Sequence, residues 1–244
     1  MNGANDESRK RNQFGDYEDI SNMKPEDWSY RWGKSHTQFH MPKIHPMLSK
    51  HYDTLTGQRK NLRIFLPLCG KAVDMKMLSD EGHDVVGLEC AEKGCMEFFQ
   101  EQNIPYTTTD LTECSGKVFK ATDNRKLTIY CCDFFKISSK ILGQFDCVWD
   151  RGSFVAIPVT LRKQYSNVIT PMMHSDTIYL MDTFLLDHIV FAGPPFNCTE
   201  DHLNKTFGAQ MDIKKIDERD AFGEWQRSWG LTSFTEQLYL LKKK

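Results

Sequence analysis

The side chains with the most chemical promise stand at the carboxyl ends of apolar runs. Glu89 closes the run Val85-Val86-Gly87-Leu88, and Gly70 follows the run Leu62-Arg63-Ile64-Phe65-Leu66-Pro67-Leu68. An acid about 20 residues after a glycine turn is the spacing at which a carboxylate accepts hydrogen bonds from the hydroxyls of a ribose. The same residues also fit an ordinary βαβ unit that ends on a solvated acid, so the pair alone leaves both readings open. Asp133 and Phe134 end a third run, where the carboxylate could take an exocyclic amine of adenine while rings pack on the base. An Asp that merely starts a helix fits equally well. Arg151 follows Asp150 at the end of a fourth run, as an anion ligand or as the partner of that acid. Trp28 and Trp32 are four apart and share one helical face, either as core anchors or, with Phe39 beyond Gly33, as an aromatic cover. His36 and His40 have helical metal-ligand spacing, but no third ligand is evident and no metal is expected.

These positions need a scaffold, and the apolar pattern supplies one. The near-continuous run over 62–68 suits a strand buried on both faces of a parallel sheet. A helix over 72–78, ended by Gly82, leads to the strand ending at Glu89. A helix over Ala91–Asn103 stops before Pro105. Lys117–Ala121 and Leu127–Cys132 flank a polar turn and read as a β-hairpin insertion. Further strands are expected over Phe145–Asp150, Thr177–Phe184, Met211–Ile216 and Phe234–Leu241. Helices are expected at Pro25–Gly33, Pro46–Leu55, Pro158–Met173 and Thr199–Phe207. The long segments Leu185–Cys198 and Asp220–Leu231, the second carrying Trp225, Arg227 and Trp229, read as loops, the first as a lid. Alternating strands and helices argue an α/β, doubly wound, parallel sheet, whose ligands bind beyond the carboxyl ends of its strands. Residues 1–22 are polar and read as a flexible arm, with 23–244 as one domain.

The totals exclude several classes. In 244 residues, 40% are hydrophobic and 26% charged with a net charge of −2, so no electrostatic case exists for nucleic acid. No apolar run approaches the roughly 18 residues of a membrane helix, and the N-terminus lacks the apolar core of a secretory signal. The eight cysteines form no C-x-x-C pair and are read as thiols of a reducing, cytoplasmic compartment. Ser153 is outside any G-x-S-x-G elbow, which leaves a serine hydrolase unsupported.

The loop PLCGKAVDM lacks both G-x-G-x-x-G and the P-loop pattern, which counts against dinucleotides and nucleoside triphosphates. S-adenosylmethionine carries no phosphate and needs fewer glycines. At this point a resemblance becomes specific. FLPLCGKAVDMKMLSDEGHDVVGLE, YCCDFF, FDCVWDRGSFVAI, GPPF and SWG together resemble the thiopurine S-methyltransferase family, from about Trp28 to the C-terminus. The resemblance implies the class I methyltransferase fold, Rossmann-like and three-layered, with a seven-stranded, mostly parallel sheet and an antiparallel last strand. It also implies methyl transfer from S-adenosylmethionine to the sulfur of aromatic and heterocyclic thiols, including thiopurines. By similarity, Trp28 to Phe39, with Trp32 between, matches a segment closing over the cofactor. Leu68, Gly70, Glu89, Asp133, Phe134 and Arg151 match its cofactor side. Phe39 and Arg151 also match the substrate side. Two departures stand out: some relatives have Ser at the Asp133 position, and a substrate-side arginine aligns with Trp225, leaving Arg227 two residues on.

A sulfonium is a strong electrophile and a thiolate a strong nucleophile, so proximity and alignment are the expected catalytic device. No protein group is expected to be an obligatory base; His40, beside Phe39, is the rival. A monomer acting on a small-molecule thiol is expected, with neither nucleic acid nor membrane as partner. Competing readings are methylation of small selenium or sulfur compounds, a catalytically silent nucleoside-binding protein on the same fold, and, more weakly, a nicotinamide dehydrogenase.

Overall fold

The computed structural model describes residues 23–244; the arm expected over 1–22 lies outside them. Helix α1 (Pro25–Gly33) has Pro25 at its first position, and the Asp27 carboxylate accepts from Lys24 N at 2.8 Å. The helix expected over Pro46–Leu55 is two short ones, α2 (Pro46–Lys50) and α3 (Tyr52–Thr56), separated at His51. Next come β1 (Arg63–Leu66), α4 (Asp74–Asp80), β2 (Asp84–Glu89) and α5 (Glu92–Glu101), as the apolar pattern requires. Then follow β3 (Tyr106–Leu111), β4 (Gly116–Ala121), β5 (Leu127–Cys131), α6 (Ser139–Leu142), β6 (Phe145–Arg151), α7 (Arg162–Ile169) and β7 (Met173–Leu185). The chain ends with α8 (Glu200–Phe207), capped by the Thr199 side chain, then β8 (Met211–Asp220), α9 (Glu224–Ser228) and β9 (Thr235–Lys243).

All strands join one sheet in the order β3-β4-β5-β2-β1-β6-β7-β9-β8. The run β5-β2-β1-β6-β7 is parallel, and β9 lies antiparallel between β7 and β8. These seven strands are the expected sheet; β3 and β4 extend it to nine. The hairpin reading needs correcting. β4 and β5 do pair antiparallel, but β5 also pairs parallel with β2, so it is a central strand rather than part of an insertion. β3 went unread because Tyr-Thr-Thr-Thr-Asp-Leu has almost no apolar alternation; three of its residues are exposed threonines. Its only signal was β-branching.

Burial alternates along the strands and so fixes three layers. Ile64, Leu66 and Val85 enter one apolar cluster with Phe98 and Phe99 of α5; Phe65 and Val86 enter the other with Tyr165 of α7 and Leu203 of α8. Phe65 stacks on Phe145 at 4.8 Å, and truncating such a buried ring costs about 3–5 kcal/mol. Among the described residues no helix is long and apolar enough to cross a membrane.

Candidate functional site

The β1–α4 loop is built at the carboxyl edge of the sheet by two left-handed residues, Leu68 (φ 43°) and Gly70 (φ 51°). A leucine there is strained by about 1–3 kcal/mol and persists only when its surroundings hold it. Cys69 N donates to Leu88 O at 2.8 Å, and Ser153 Oγ donates to Pro67 O at 2.5 Å. Glu89 completes the clamp. Its Oε2 accepts from Gly70 N at 2.9 Å and its Oε1 from Ala91 N at 2.8 Å. Glu89 is 5% exposed, and burial raises its carboxyl above the ordinary value despite those two donors. Oε1 also takes the weak Cys90 S–H donor at 3.4 Å, so of about four lone-pair sites one is open and a second is held only by that thiol.

Glu89, Leu68, Gly70, Trp28, Trp32, Phe39 and Arg151 line one cavity together. Trp32 answers both readings of the tryptophan pair. It is 1% exposed, packed so that a Cβ on Gly70 or Gly94 would come within 3.1 Å of its ring, and it forms the cavity wall. Phe39 is 38% exposed and meets Trp28 and Trp32 edge-on at 5.7 and 5.8 Å. Its carbonyl accepts from Arg151 Nη1 at 2.9 Å, which ties the N-terminal segment to the end of β6. Arg151 Nε is buried without a hydrogen-bond partner among the described residues. Asp150 is not the partner of Arg151. It accepts from Tyr165 and Tyr179 hydroxyls at 2.7 and 2.6 Å and from Phe154 N at 3.1 Å.

A larger cavity adjoins the first and shares Phe39, Met41, His45, Arg151, Gly152 and Ala156 with it. Its far wall comes from the two long loops and the ends of β7, β8 and β9. Phe191 stacks on Trp229 at 4.4 Å, and Trp225 meets Trp229 edge-on at 5.8 Å, so the loops form one aromatic wall. Trp225 lines this cavity. Arg227 does not: its guanidinium lies over Phe222 at 5.0 Å, and the arginine that β8 sends to the cavity is Arg219.

Asp133 caps the turn after β5 through Phe135 N at 2.9 Å, as the helix-starting reading required. It lies in a third cleft with Pro25, Ala91 and Cys132, and Cys90 belongs both to this cleft and to the first cavity. Phe134 is buried and stacks on Tyr165 at 4.5 Å. His36 and His40 do not form a helical ligand pair: α1 ends at Gly33, and the two line different cavities. Burial and the nearby Lys71 lower the His40 pKa.

The sequence profile of the thiopurine S-methyltransferase family matches residues 23–244. A zebrafish (Danio rerio) protein named a probable thiopurine S-methyltransferase is 45% identical over 219 residues, 89% of this chain and 94% of that one. The rat (Rattus norvegicus) thiopurine S-methyltransferase is 40% identical over 220 residues, 90% of this chain and 91% of that one. The chain belongs to the thiopurine S-methyltransferase family. It is an S-adenosylmethionine-dependent methyltransferase. Solved structures agree on the fold: an Anabaena variabilis S-adenosylmethionine-dependent methyltransferase aligns with TM-score 0.63 at 12% identity, covering 90% of this chain and 95% of that one. A Burkholderia thailandensis 1,6-didemethyltoxoflavin-N1-methyltransferase, solved with S-adenosylhomocysteine, aligns with TM-score 0.58 at 13% identity, covering 90% and 87%.

Sequence reasoning missed several side chains that shape this family member's site. His45 lines both cavities and its backbone N donates to buried Asp74 at 2.8 Å, while Trp149 Nε1 donates to the other Asp74 oxygen at 2.9 Å. Arg31 and Arg219 line the larger cavity, with Glu236. Arg219 and Glu236 lie on different strands of an antiparallel pair, and no local motif announces that meeting.

Proposed function

We propose that this protein transfers the methyl group of S-adenosylmethionine to the sulfur of aromatic and heterocyclic thiols, thiopurines among them. The observation that carries the reading is the junction of two cavities at Arg151 and Phe39, one floored by Glu89 and the other walled by aromatic rings.

The smaller cavity suits the cofactor. Glu89, with acceptor capacity left over, takes the ribose hydroxyls. Leu68 and Gly70 bring the loop backbone close to the ligand. The adenine reaches past Cys90 toward Asp133, which lines the third cleft, and toward the adjoining Phe134. Trp28, Trp32 and Phe39 cover the cofactor and exclude water. The larger cavity suits a flat thiol held by Phe39, Arg151 and Trp225.

When bound, the cofactor supplies an electrophilic methyl group on a positively charged sulfur. The protein's own part is placement. The aromatic walls set the plane of the substrate ring, and the junction aims its sulfur along the line of displacement. The Arg151 guanidinium, which lines both cavities, offers its positive charge to an anionic sulfur, which favours the thiolate over the thiol. No base is required, because an acidic thiol arrives ionised. We also read residues 23–244 as one domain of a cytoplasmic monomer, acting on a small molecule with neither nucleic acid nor membrane as partner; the near-neutral charge supports this. The test is a transfer assay with methyl-labelled S-adenosylmethionine against aryl thiols, thiopurines and selenols. Label in the aryl thiols and thiopurines is expected; label in selenols alone would overturn the reading.

A further inference from the structure

Beneath the larger cavity, four side chains that carry or can carry charge meet from three strands and the N-terminal segment. Asp182 on β7 and Glu236 on β9 are 0% and 2% exposed. Glu236 Oε1 lies 3.0 Å from His45 Nε2, and Asp182 Oδ2 lies 4.0 Å from the same nitrogen. Arg219 on β8 places both Nε and Nη2 on Glu236 Oε2. Both carboxylate oxygens of Asp182 are buried without a hydrogen-bond partner among the described residues. Burial and the neighbouring Glu236 push the Asp182 carboxyl well up, whereas His45 and Arg219 overcome burial and hold Glu236 below its ordinary value. Of the two carboxyls, Glu236 is the one whose ionised form its neighbours favour, and it is the one that Arg219 holds.

We propose that Arg219 is a specificity-determining residue that receives an anionic substituent on the substrate ring, on the side away from the reacting sulfur, and that Glu236 is its positioning residue. Three observations converge. Arg219 has five N–H donors in a rigid fork; the pairing engages Nε and Nη2 and leaves Nη1 without a partner among the described residues. The Arg219 side chain is 39% exposed and lines the cavity, while its carboxylate anchor is 2% exposed, so the guanidinium is accessible from the cavity while its partner holds it from the protein side. Arg151 lines both cavities, and Arg219 only the larger, so Arg219 stands away from the junction where sulfur must react. A metal ion on His45, Asp182 and Glu236, whose ligand atoms lie within 4.8 Å of one another, would sit against the Arg219 guanidinium. The cluster is better explained as the counter-charge of that arginine.

The inference rests on the larger cavity being the thiol site. The test compares kcat and KM for thiophenol and 4-mercaptobenzoate in wild type, R219Q, R219K, E236Q and R227Q. One charge-assisted bond is worth about 10–100-fold in affinity. R219Q should therefore raise KM for 4-mercaptobenzoate about 10–100-fold more than for thiophenol, with R219K recovering part and E236Q losing part of the discrimination. An equal effect of R219Q on both thiols, or discrimination lost in R227Q instead, would overturn it. Should R219Q fail to fold, R219K and E236Q carry the same comparison, and unchanged discrimination in both overturns it. Wild type that methylates neither thiol overturns the functional reading and this inference with it. Wild type that methylates both, with discrimination intact in the Arg219 variants, overturns this inference alone.

Discussion

Replacing Glu89 by glutamine removes its charge and keeps its bulk. In the wild type its two oxygens accept from Gly70 N and Ala91 N at 2.9 and 2.8 Å. An amide has one oxygen, so its NH2 must face one of those N–H donors. The variant loses one clamp on the loop and the charge that receives the ribose hydroxyls. Each hydrogen bond to an ionised group is worth about 1.5–3 kcal/mol, so two such bonds to the cofactor amount to about 3 kcal/mol or more, roughly 100-fold in affinity. Calorimetry with S-adenosylhomocysteine measures this, and circular dichroism checks the fold. The pH dependence adds a second signature. Burial raises the Glu89 carboxyl, so ligand affinity in the wild type should be complete above that raised value and fall as pH drops through it. Its contribution to stability has the opposite sign: it is fully present below the ordinary glutamate value and is lost as pH rises through the raised one. The variant should show neither slope. Affinity within threefold of wild type, with the same pH profile, would refute the assignment.

Asp150→Ala should cost about 3 kcal/mol or more in urea unfolding, because it strands two buried tyrosine hydroxyls; a loss under about 1 kcal/mol would contradict that network. Amide hydrogen exchange across residues 28–39 should slow when S-adenosylhomocysteine binds, and identical exchange would mean that Trp28 and Phe39 do not close on the ligand. Across aryl thiols of graded acidity, the pH profile of kcat/KM should follow each thiol. His40, whose pKa is lowered by burial and Lys71, should leave no limb of its own. One substrate-independent pKa, with a loss of about 10²–10⁴-fold in His40→Gln, would make His40 the base.

The parts legible in the sequence were those written in local pattern. Continuous apolar runs marked β1, β2 and β6, and Gly70 and Glu89 marked the loop and the strand end that meet above them. Their joint placement follows from parallel pairing of β1 with β2. The tryptophan pair at helical spacing showed a face but not what it covers; Gly70 and Gly94, from two other elements, leave the room for the Trp32 ring. β3 was missed because threonines satisfy a strand without apolar alternation. Arg227 was named for its closeness to Trp225 in sequence, and Arg219 went unread, because the cavity wall is set by β8 pairing with β9, which places Arg219 opposite Glu236. His45 and Asp182 were equally silent, since their meeting depends on how the N-terminal segment crosses the sheet.

The most direct test of S-methylation follows the methyl carbon itself. The protein is incubated with S-adenosylmethionine carrying a 13C methyl group and with 6-mercaptopurine, and the product is examined by carbon NMR and mass spectrometry. One labelled methyl bound to sulfur is expected, formed in equal amount with S-adenosylhomocysteine. A label on ring nitrogen, or tight S-adenosylhomocysteine binding with no transfer to this or any other thiol, would contradict it.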